Sequence, residues 1–145
     1  MLEENIITVL GGRRALGCVV HSQLDLADLI VSGMPCRAAE SLRRRLHITE
    51  QELASSLGVS AKTLHRAGAR RPARLTPAQG DRLYRLARIV AMAEQAFENT
   101  ERAYRWLQEP QRGLGERVPL TLLATEAGAR EVEDLLGRIE HSVFS

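Results

Sequence analysis

The sequence predicts an all-α protein. Apolar residues recur at helical spacing, most clearly where Leu83, Leu86, Ala87, Val90 and Phe97 repeat at about 3.6 residues per turn. Capping residues, glycines and prolines delimit these segments, and no stretch alternates apolar and polar residues as a half-buried strand does. The 145 residues are enough for one domain, or for two small helical modules that share a core.

The first part of the chain predicts three helices before any functional motif. The segment 3–16 is weakly helical and is broken by Gly11 and Gly12. Ser22 is expected to cap a helix with Asp25 at its third position, and Gly33 and Pro35 to end it. The helix 37–46 then carries three consecutive arginines, Arg43, Arg44 and Arg45, which cannot share one face. At least one of them should therefore reach solvent or a phosphate group.

The segment 48–66 predicts a helix-turn-helix. Thr49 and Glu52 have the spacing of a capping box at the start of a short helix. Gly58 should end that helix, because glycine adopts the left-handed conformation without a Cβ clash. Ser60 then caps a second helix, from Ala61 to about Ala67, with Leu64 facing inward.

Cationic and polar residues on the outer face of this second helix suit the phosphates and base edges of DNA. We expect the DNA contacts to come from Ser60, Lys62, Thr63, Arg66 and Arg70. The alternative is an ordinary helical hairpin with a solvated basic face.

The second half predicts a long helix followed by three shorter ones. Thr76 and Pro77 suit the N-cap and the first position of a long helix that extends to Phe97. This helix should join the basic module to the acidic end of the protein. Its arginines, Arg82, Arg85 and Arg88, should lie closest to the helix-turn-helix. Further helices are expected at 100–107, at 119–125 and, capped by Thr125, from Glu126 to about His141.

Charge is distributed unevenly along the chain. Residues 37–88 contain 12 Lys and Arg against 4 Asp and Glu, a net charge of +8, whereas the remainder has 8 against 14, a net charge of −6. Every basic residue except Lys62 is arginine, which favours planar, bidentate recognition of phosphate or carboxylate. A basic middle with acidic flanks indicates two different partners, one of them polyanionic.

The composition argues against metal, membrane and secretory functions. Cys18 and Cys36 form no CxxC pair, and the four histidines are scattered singly, so no metal-ligand spacing occurs and no cofactor is predicted. Each cysteine is expected to be a small buried apolar residue. The chain has no basic N-terminal region before an apolar run and no stretch near the ~20 apolar residues of a membrane span. A cytoplasmic protein is therefore expected.

Several motifs of the second half resemble the Xre/MbcA/ParS-like antitoxins. The resemblance runs from about residue 24 to 145, and its most specific pieces are Asp81-Arg82-Leu83, Trp106-Leu107, Pro110, Leu114-Gly115, Pro119-Leu120 and Thr125-Glu126-Ala127-Gly128. It implies an Xre/Cro-like helix-turn-helix module at 1–75, a connecting helix at 76–97 and a small helical toxin-binding domain at 98–145.

The resemblance also implies a function without catalysis. A type II antitoxin of this family would occlude the active-site cleft of a RES-domain toxin, an NAD-consuming, ADP-ribosyltransferase-like protein, and would repress its own operon as a homodimer on operator DNA. We expect the toxin-binding residues to include Leu107, Pro110, Leu120, Arg138, Glu140, His141 and Phe144. In the cleft, acidic groups of the tail 140–145 would replace NAD⁺ phosphates, or arginines would pair with a catalytic carboxylate.

Two other functions are weighed against this one. In a stand-alone dimeric helix-turn-helix regulator, the C-terminal half would serve only dimerisation. Trp106, Leu135 and Leu136 would then be core or interface residues, the usual position for large apolar side chains at helical spacing. An enzyme has no support, because neither His65 nor His141 has a carboxylate or nucleophile at a suggestive spacing.

Overall fold

Nine α-helices make up most of the structure, a computed structural model that describes the backbone of residues 2–144 and the side chains of residues 2–142. No β-strand occurs in that part of the chain, which confirms the all-α prediction. Two 3-10 helices, Arg112–Leu114 and Pro119–Leu122, lie between the last two α-helices. The α-helices are α1 (Leu2–Val9), α2 (Gly12–Leu16), α3 (Gln23–Ser32), α4 (Cys36–Leu46), α5 (Glu50–Ser56), α6 (Ala61–Ala69), α7 (Pro77–Phe97), α8 (Thr100–Gln108) and α9 (Glu126–Phe144).

The central element is α7, which begins and ends at the predicted residues. Thr76 accepts a hydrogen bond from the Gln79 amide, and the Gln79 side chain accepts one from the Thr76 amide, so a capping box reinforces the proline at the first position. Helices α1, α3, α8 and α9 all pack against α7. One continuous hydrophobic core therefore extends from the N-terminal helices to the C-terminal ones.

The prediction of a single apolar stripe on α7 is too narrow. Ile89, Ala91 and Ala93 lie outside that stripe and are also completely buried, while Phe97 is only half-buried. The small alanines allow neighbouring helices to approach on several sides, so the helix is enclosed along its middle.

The local signals of the helix-turn-helix are confirmed. Thr49 and Glu52 form the capping box of α5, and Gly58 adopts a left-handed conformation with φ 69°. Ser60 caps α6 by accepting a hydrogen bond from the Thr63 amide, and the helix ends at Ala69, two residues beyond the prediction. At the other end of the chain, the Thr125 hydroxyl accepts from the Gly128 amide and caps α9 as expected.

The three consecutive arginines of α4 separate as predicted. The Arg44 side chain is 76% exposed, although its Nε donates to Glu40. Arg43 turns back to Glu40 and to the carbonyl of Ile48. The guanidinium of Arg45 donates to Tyr104 Oη at 2.7 Å and to Glu94 at 3.1 Å, which ties α4 to α7 and α8.

Burial and the neighbouring Glu94 carboxylate raise the pKa of Tyr104 in this network to about 12. The neutral phenol is therefore favoured in the folded state, and this contribution to stability is present below pH 10 and disappears as the pH rises through about 12.

The cysteine prediction is wrong for Cys18, which is exposed on the turn after α2. Cys36 is half-buried at the start of α4, and burial raises the pKa of its thiol. Among the helices of the described chain, none is long and apolar enough to cross a membrane.

Candidate nucleic-acid and partner interfaces

The predicted DNA-contacting residues all lie on α6 or at its ends. Lys62, Arg66 and Arg70 are exposed, and Thr63 is half-buried. Ser60 is also exposed, but its Oγ already accepts from the Thr63 amide at 3.0 Å and lies 2.9 Å from Thr63 Oγ1. Ser60 therefore shapes the start of α6. Contact between these residues and DNA stays a prediction.

The inner face of α6 is only partly packed. Ala67 is its only fully buried residue, and Leu64, predicted to face inward, is half-buried against the core. An open cavity of about 290 Å³ separates α6 from α4 and α5 and is lined by residues such as Leu53, Leu64 and Ala69. Helix α6 is thus supported mainly through its contacts with α5, and its outer face remains accessible.

The three arginines of α7 lie in different environments. Arg82 donates to the carbonyl of Leu57, in the turn of the helix-turn-helix, at 3.3 Å. Arg85 is buried and donates to the carbonyl of Leu123 at 3.0 Å, and Arg88 pairs with Glu133 of α9 at 2.6 Å. The predicted proximity to the helix-turn-helix is therefore wrong for Arg85 and Arg88. Those two side chains reach the C-terminal segment, at Leu123 and at Glu133.

The helix-turn-helix also touches the C-terminal segment directly. A Cβ added at Gly58 would lie 3.4 Å from that of Ala124, and the side-chain Nε2 of Gln108 donates to the carbonyl of Leu46 at 3.1 Å. The two halves of the molecule consequently contact each other directly as well as through α7.

The residues predicted to bind a toxin are dispersed between core and surface. Leu107 is completely buried and Leu120 is 5% exposed, so both support the fold and present little surface to a partner. Pro110 is exposed after α8. Arg138 and His141 are exposed and Glu140 is half-buried in the last turns of α9, whereas the Phe144 side chain lies outside the described residues.

The large apolar residues of the C-terminal half pack against the core, as expected if they are core or interface residues. Leu136 is buried, while Trp106 and Leu135 are half-buried against the same core. The Trp106 ring meets Phe97 at a centroid distance of 5.7 Å.

Sequence reasoning did not identify a groove beside the first turn of α9. The groove has a volume of about 660 Å³ and lies between this turn and the loop that closes with a hydrogen bond from the Gln111 amide to the Arg117 carbonyl. A Cβ at Gly128 would overlap the carbonyl oxygen of Leu122, so glycine permits this close approach. Gly128 was the feature of the sequence that could have indicated this close approach. The groove is lined by Gly113, Leu114, Gly115, Arg117, Leu122, Thr125, Ala127, Gly128 and Glu131.

Side chains of the metal-binding types do not cluster in the described part of the chain: no group of three or more His, Cys, Asp or Glu residues could hold an ion there.

Comparison with known proteins identifies both halves. Residues 25–88 match the family model of the antitoxin Xre-like helix-turn-helix domain, and residues 92–141 match that of the antitoxin Xre/MbcA/ParS C-terminal toxin-binding domain. Both matches reach into α7. The matched regions therefore follow the predicted order, although the boundaries at 75 and 97 stay predictions.

Whole-chain relatives agree with the two domain matches. The chain is 34% identical to antitoxin Xre of Yersinia enterocolitica and 26% identical to antitoxin Xre of Photorhabdus laumondii, each over 91% of this chain and 89% of the relative. It is 40% identical to antitoxin Xre of Pseudomonas putida over 45% of this chain and 41% of that protein. The chain therefore belongs to the Xre family of type II antitoxins, with a helix-turn-helix domain followed by a toxin-binding domain.

Proposed function

We propose that this antitoxin covers the active-site cleft of a RES-domain toxin in the cytoplasm and represses its own operon as a homodimer. The observation that carries the proposal is the presence of an exposed cationic helix and a toxin-binding family domain on one continuous core. The resemblance to RES-associated antitoxins supports the identity of the toxin. An NAD-consuming enzyme would be neutralised by occlusion of its cleft, and the antitoxin itself would need no catalytic residue.

Co-expression with the product of the neighbouring gene tests the toxin half of this proposal. We expect growth rescue and a stable complex that survives purification. A stand-alone regulator would give neither result, and a neighbouring product without NAD⁺ consumption would remove the RES assignment.

Helix α6 is the proposed DNA-reading element. Lys62 and Arg66 are exposed near the Ser60 cap, where the second helix of such a motif meets base edges and phosphates. Homodimerisation would present two such helices to a palindromic operator, with half-sites about one helical turn apart.

Replacing Lys62 and Arg66 together by Ala should weaken binding to DNA from upstream of the chain's own gene. Each lost phosphate contact should reduce the slope of log affinity against log salt by about 1. Fluorescence anisotropy over a salt series measures both quantities.

A matched control removes two charges elsewhere. Arg102 and Arg105 are exposed on α8, and R102A/R105A should leave DNA binding unchanged. Equal affinity and slope in K62A/R66A and the unmodified protein would refute a contact role for α6. A simultaneous fall in melting temperature and toxin neutralisation would instead reveal a folding defect.

The tail is proposed to enter the toxin cleft. Helix α9 continues to Phe144, and beyond the packed Ile139 it carries the half-buried Glu140 and the exposed His141. Ending the chain after Ile139 should therefore abolish neutralisation while DNA binding and the melting temperature persist.

Two single variants separate the chemical versions of this proposal. Loss of neutralisation in E140Q favours mimicry of NAD⁺ phosphates by the tail. Loss in R138Q favours pairing of a catalytic carboxylate with Arg138, which precedes the tail and remains in the truncated chain. Full neutralisation by the truncated chain would exclude the tail as the occluding element.

A further inference from the structure

Five arginines form a second cationic surface outside helices α5 and α6. Arg14 of α2 lines an open cleft of about 440 Å³ together with Arg37 and Arg44 of α4. Arg37 also lines an adjoining cleft of about 780 Å³ together with Arg71 and Arg74. Because Arg37 belongs to both clefts, they form one continuous region, here named the arginine surface.

The charges of the arginine surface are mostly uncompensated. All five side chains belong to exposed residues, and within the described chain Arg14, Arg37 and Arg74 make no salt bridge or side-chain hydrogen bond. Glu40 is the one acidic residue that lines either cleft.

Glu40 does not cancel the remaining charge. Its carboxylate already accepts hydrogen bonds from Arg43, which lies outside the surface, and from Arg44 at 3.1 Å. The hydrogen bond from Arg43 also lowers the pKa of Glu40. The surface consequently keeps a net positive charge that suits a polyanion.

The backbone around the arginine surface is fixed by close contacts. A Cβ at Gly11 would lie 2.5 Å from both Ala15 Cβ and Ser41 Oγ, so α2 sits directly against α4. On the other side, the Cys36 amide donates to the Ala73 carbonyl at 3.0 Å, which holds the segment after α6 against the start of α4. The clefts are therefore formed before any partner binds.

The arginine surface adjoins the C-terminal end of α6. Gly68 of α6 lines the larger cleft, and Arg71 donates to the carbonyl of Arg70 at 2.9 Å. A polyanion bound at Arg70, at the end of α6, would therefore continue to Arg71 and toward Arg37.

We propose that the arginine surface binds the sugar–phosphate backbone of operator DNA beside the groove that α6 enters. This inference rests on the proposed DNA binding by α6. Most protein–DNA hydrogen bonds go to the backbone, and the guanidinium group matches phosphate oxygens in a bidentate geometry. Arg14 precedes the residues that match the helix-turn-helix family model, so this chain extends the DNA contact with its own N-terminal helices.

The test compares R14A/R37A with the charge-matched control R102A/R105A on duplex DNA from upstream of the gene. The slope of log affinity against log salt should become shallower by about 2 in R14A/R37A, because about 0.9 counterion is released per neutralised phosphate. The control should keep the slope of the unmodified protein. The variant R14K/R37K keeps the charge and should restore most of the slope.

Duplex length provides an independent measurement. The affinity difference between the unmodified protein and R14A/R37A should vanish on a duplex trimmed to the segment protected by R14A/R37A. It should return when that duplex is longer by about one helical turn, roughly 10 base pairs. A shorter nuclease footprint for R14A/R37A is expected for the same reason.

Failure of this inference is distinguishable from failure of the proposed function. An unchanged slope and footprint in R14A/R37A, with DNA binding lost in K62A/R66A, would overturn the arginine surface alone. Absence of DNA binding by the unmodified protein would overturn both. Unchanged DNA binding with lost toxin neutralisation would assign the surface to the toxin and also reject the proposal.

Discussion

Replacing Gly128 by Ala is expected to destabilise the toxin-binding domain strongly. The added Cβ would overlap the Leu122 carbonyl oxygen and would lie 3.0 Å from its carbonyl carbon, and backbone atoms cannot rotate away as a side chain can. Overpacking of this kind costs about 1–3 kcal/mol, and a larger value is expected where the backbone itself must move. Urea denaturation followed by circular dichroism measures the loss, and toxin affinity should fall with it.

Gly137 provides a matched control on the same helix. A Cβ at this position meets nothing within 4 Å, so G137A should stabilise the protein by about 0.5–1 kcal/mol through the higher helix propensity of alanine. Equal effects of the two substitutions would show that α9 does not depend on the close approach at Gly128. We predict that G128A lowers the free energy of unfolding and that G137A raises it.

Replacing Arg85 by Ala should be the other strongly destabilising substitution. Its Nε donates to the carbonyl of Leu123, a residue with no exposed surface, and a second guanidinium nitrogen lies 3.6 Å from Glu126. An unsatisfied buried acceptor costs about 1–3 kcal/mol, and R85A also removes the packing of the aliphatic stem. R85M retains much of that packing, so it should recover part of the stability but leave the carbonyl unsatisfied.

Replacing Arg130 tests the salt bridge to Glu126 separately from the buried hydrogen bond between Arg85 and Leu123. Its side chain is 75% exposed and pairs with the same Glu126 at 3.6 Å. Exposed pairs contribute about 0–1 kcal/mol, so R130A should change the free energy of unfolding little. If R85A were as mild as R130A, the hydrogen bond to Leu123 would not connect α7 to the C-terminal segment in the way described.

The start and end of most elements follow from the sequence by itself. The capping box at Thr49, the left-handed Gly58 and the Thr76-Pro77 start of α7 are effects of a few neighbouring residues. Such effects are local, because a cap satisfies amides within one turn and glycine avoids a clash with its own backbone. The cationic face of α6 was predictable for the same reason, since helical geometry decides which residues lie side by side.

Only the tertiary structure decided which side chains outside the predicted apolar stripes are buried and which surfaces join. Arg82 and Arg85 are three residues apart on α7, yet one reaches the helix-turn-helix and the other is enclosed beside Leu123. Leu107, predicted to build a partner-facing domain, lies wholly in the core. The arginine surface brings residue 14 beside residues 37 and 74. These outcomes depend on contacts between segments distant in sequence, and periodicity within one helix carries no information about the neighbours on its other faces.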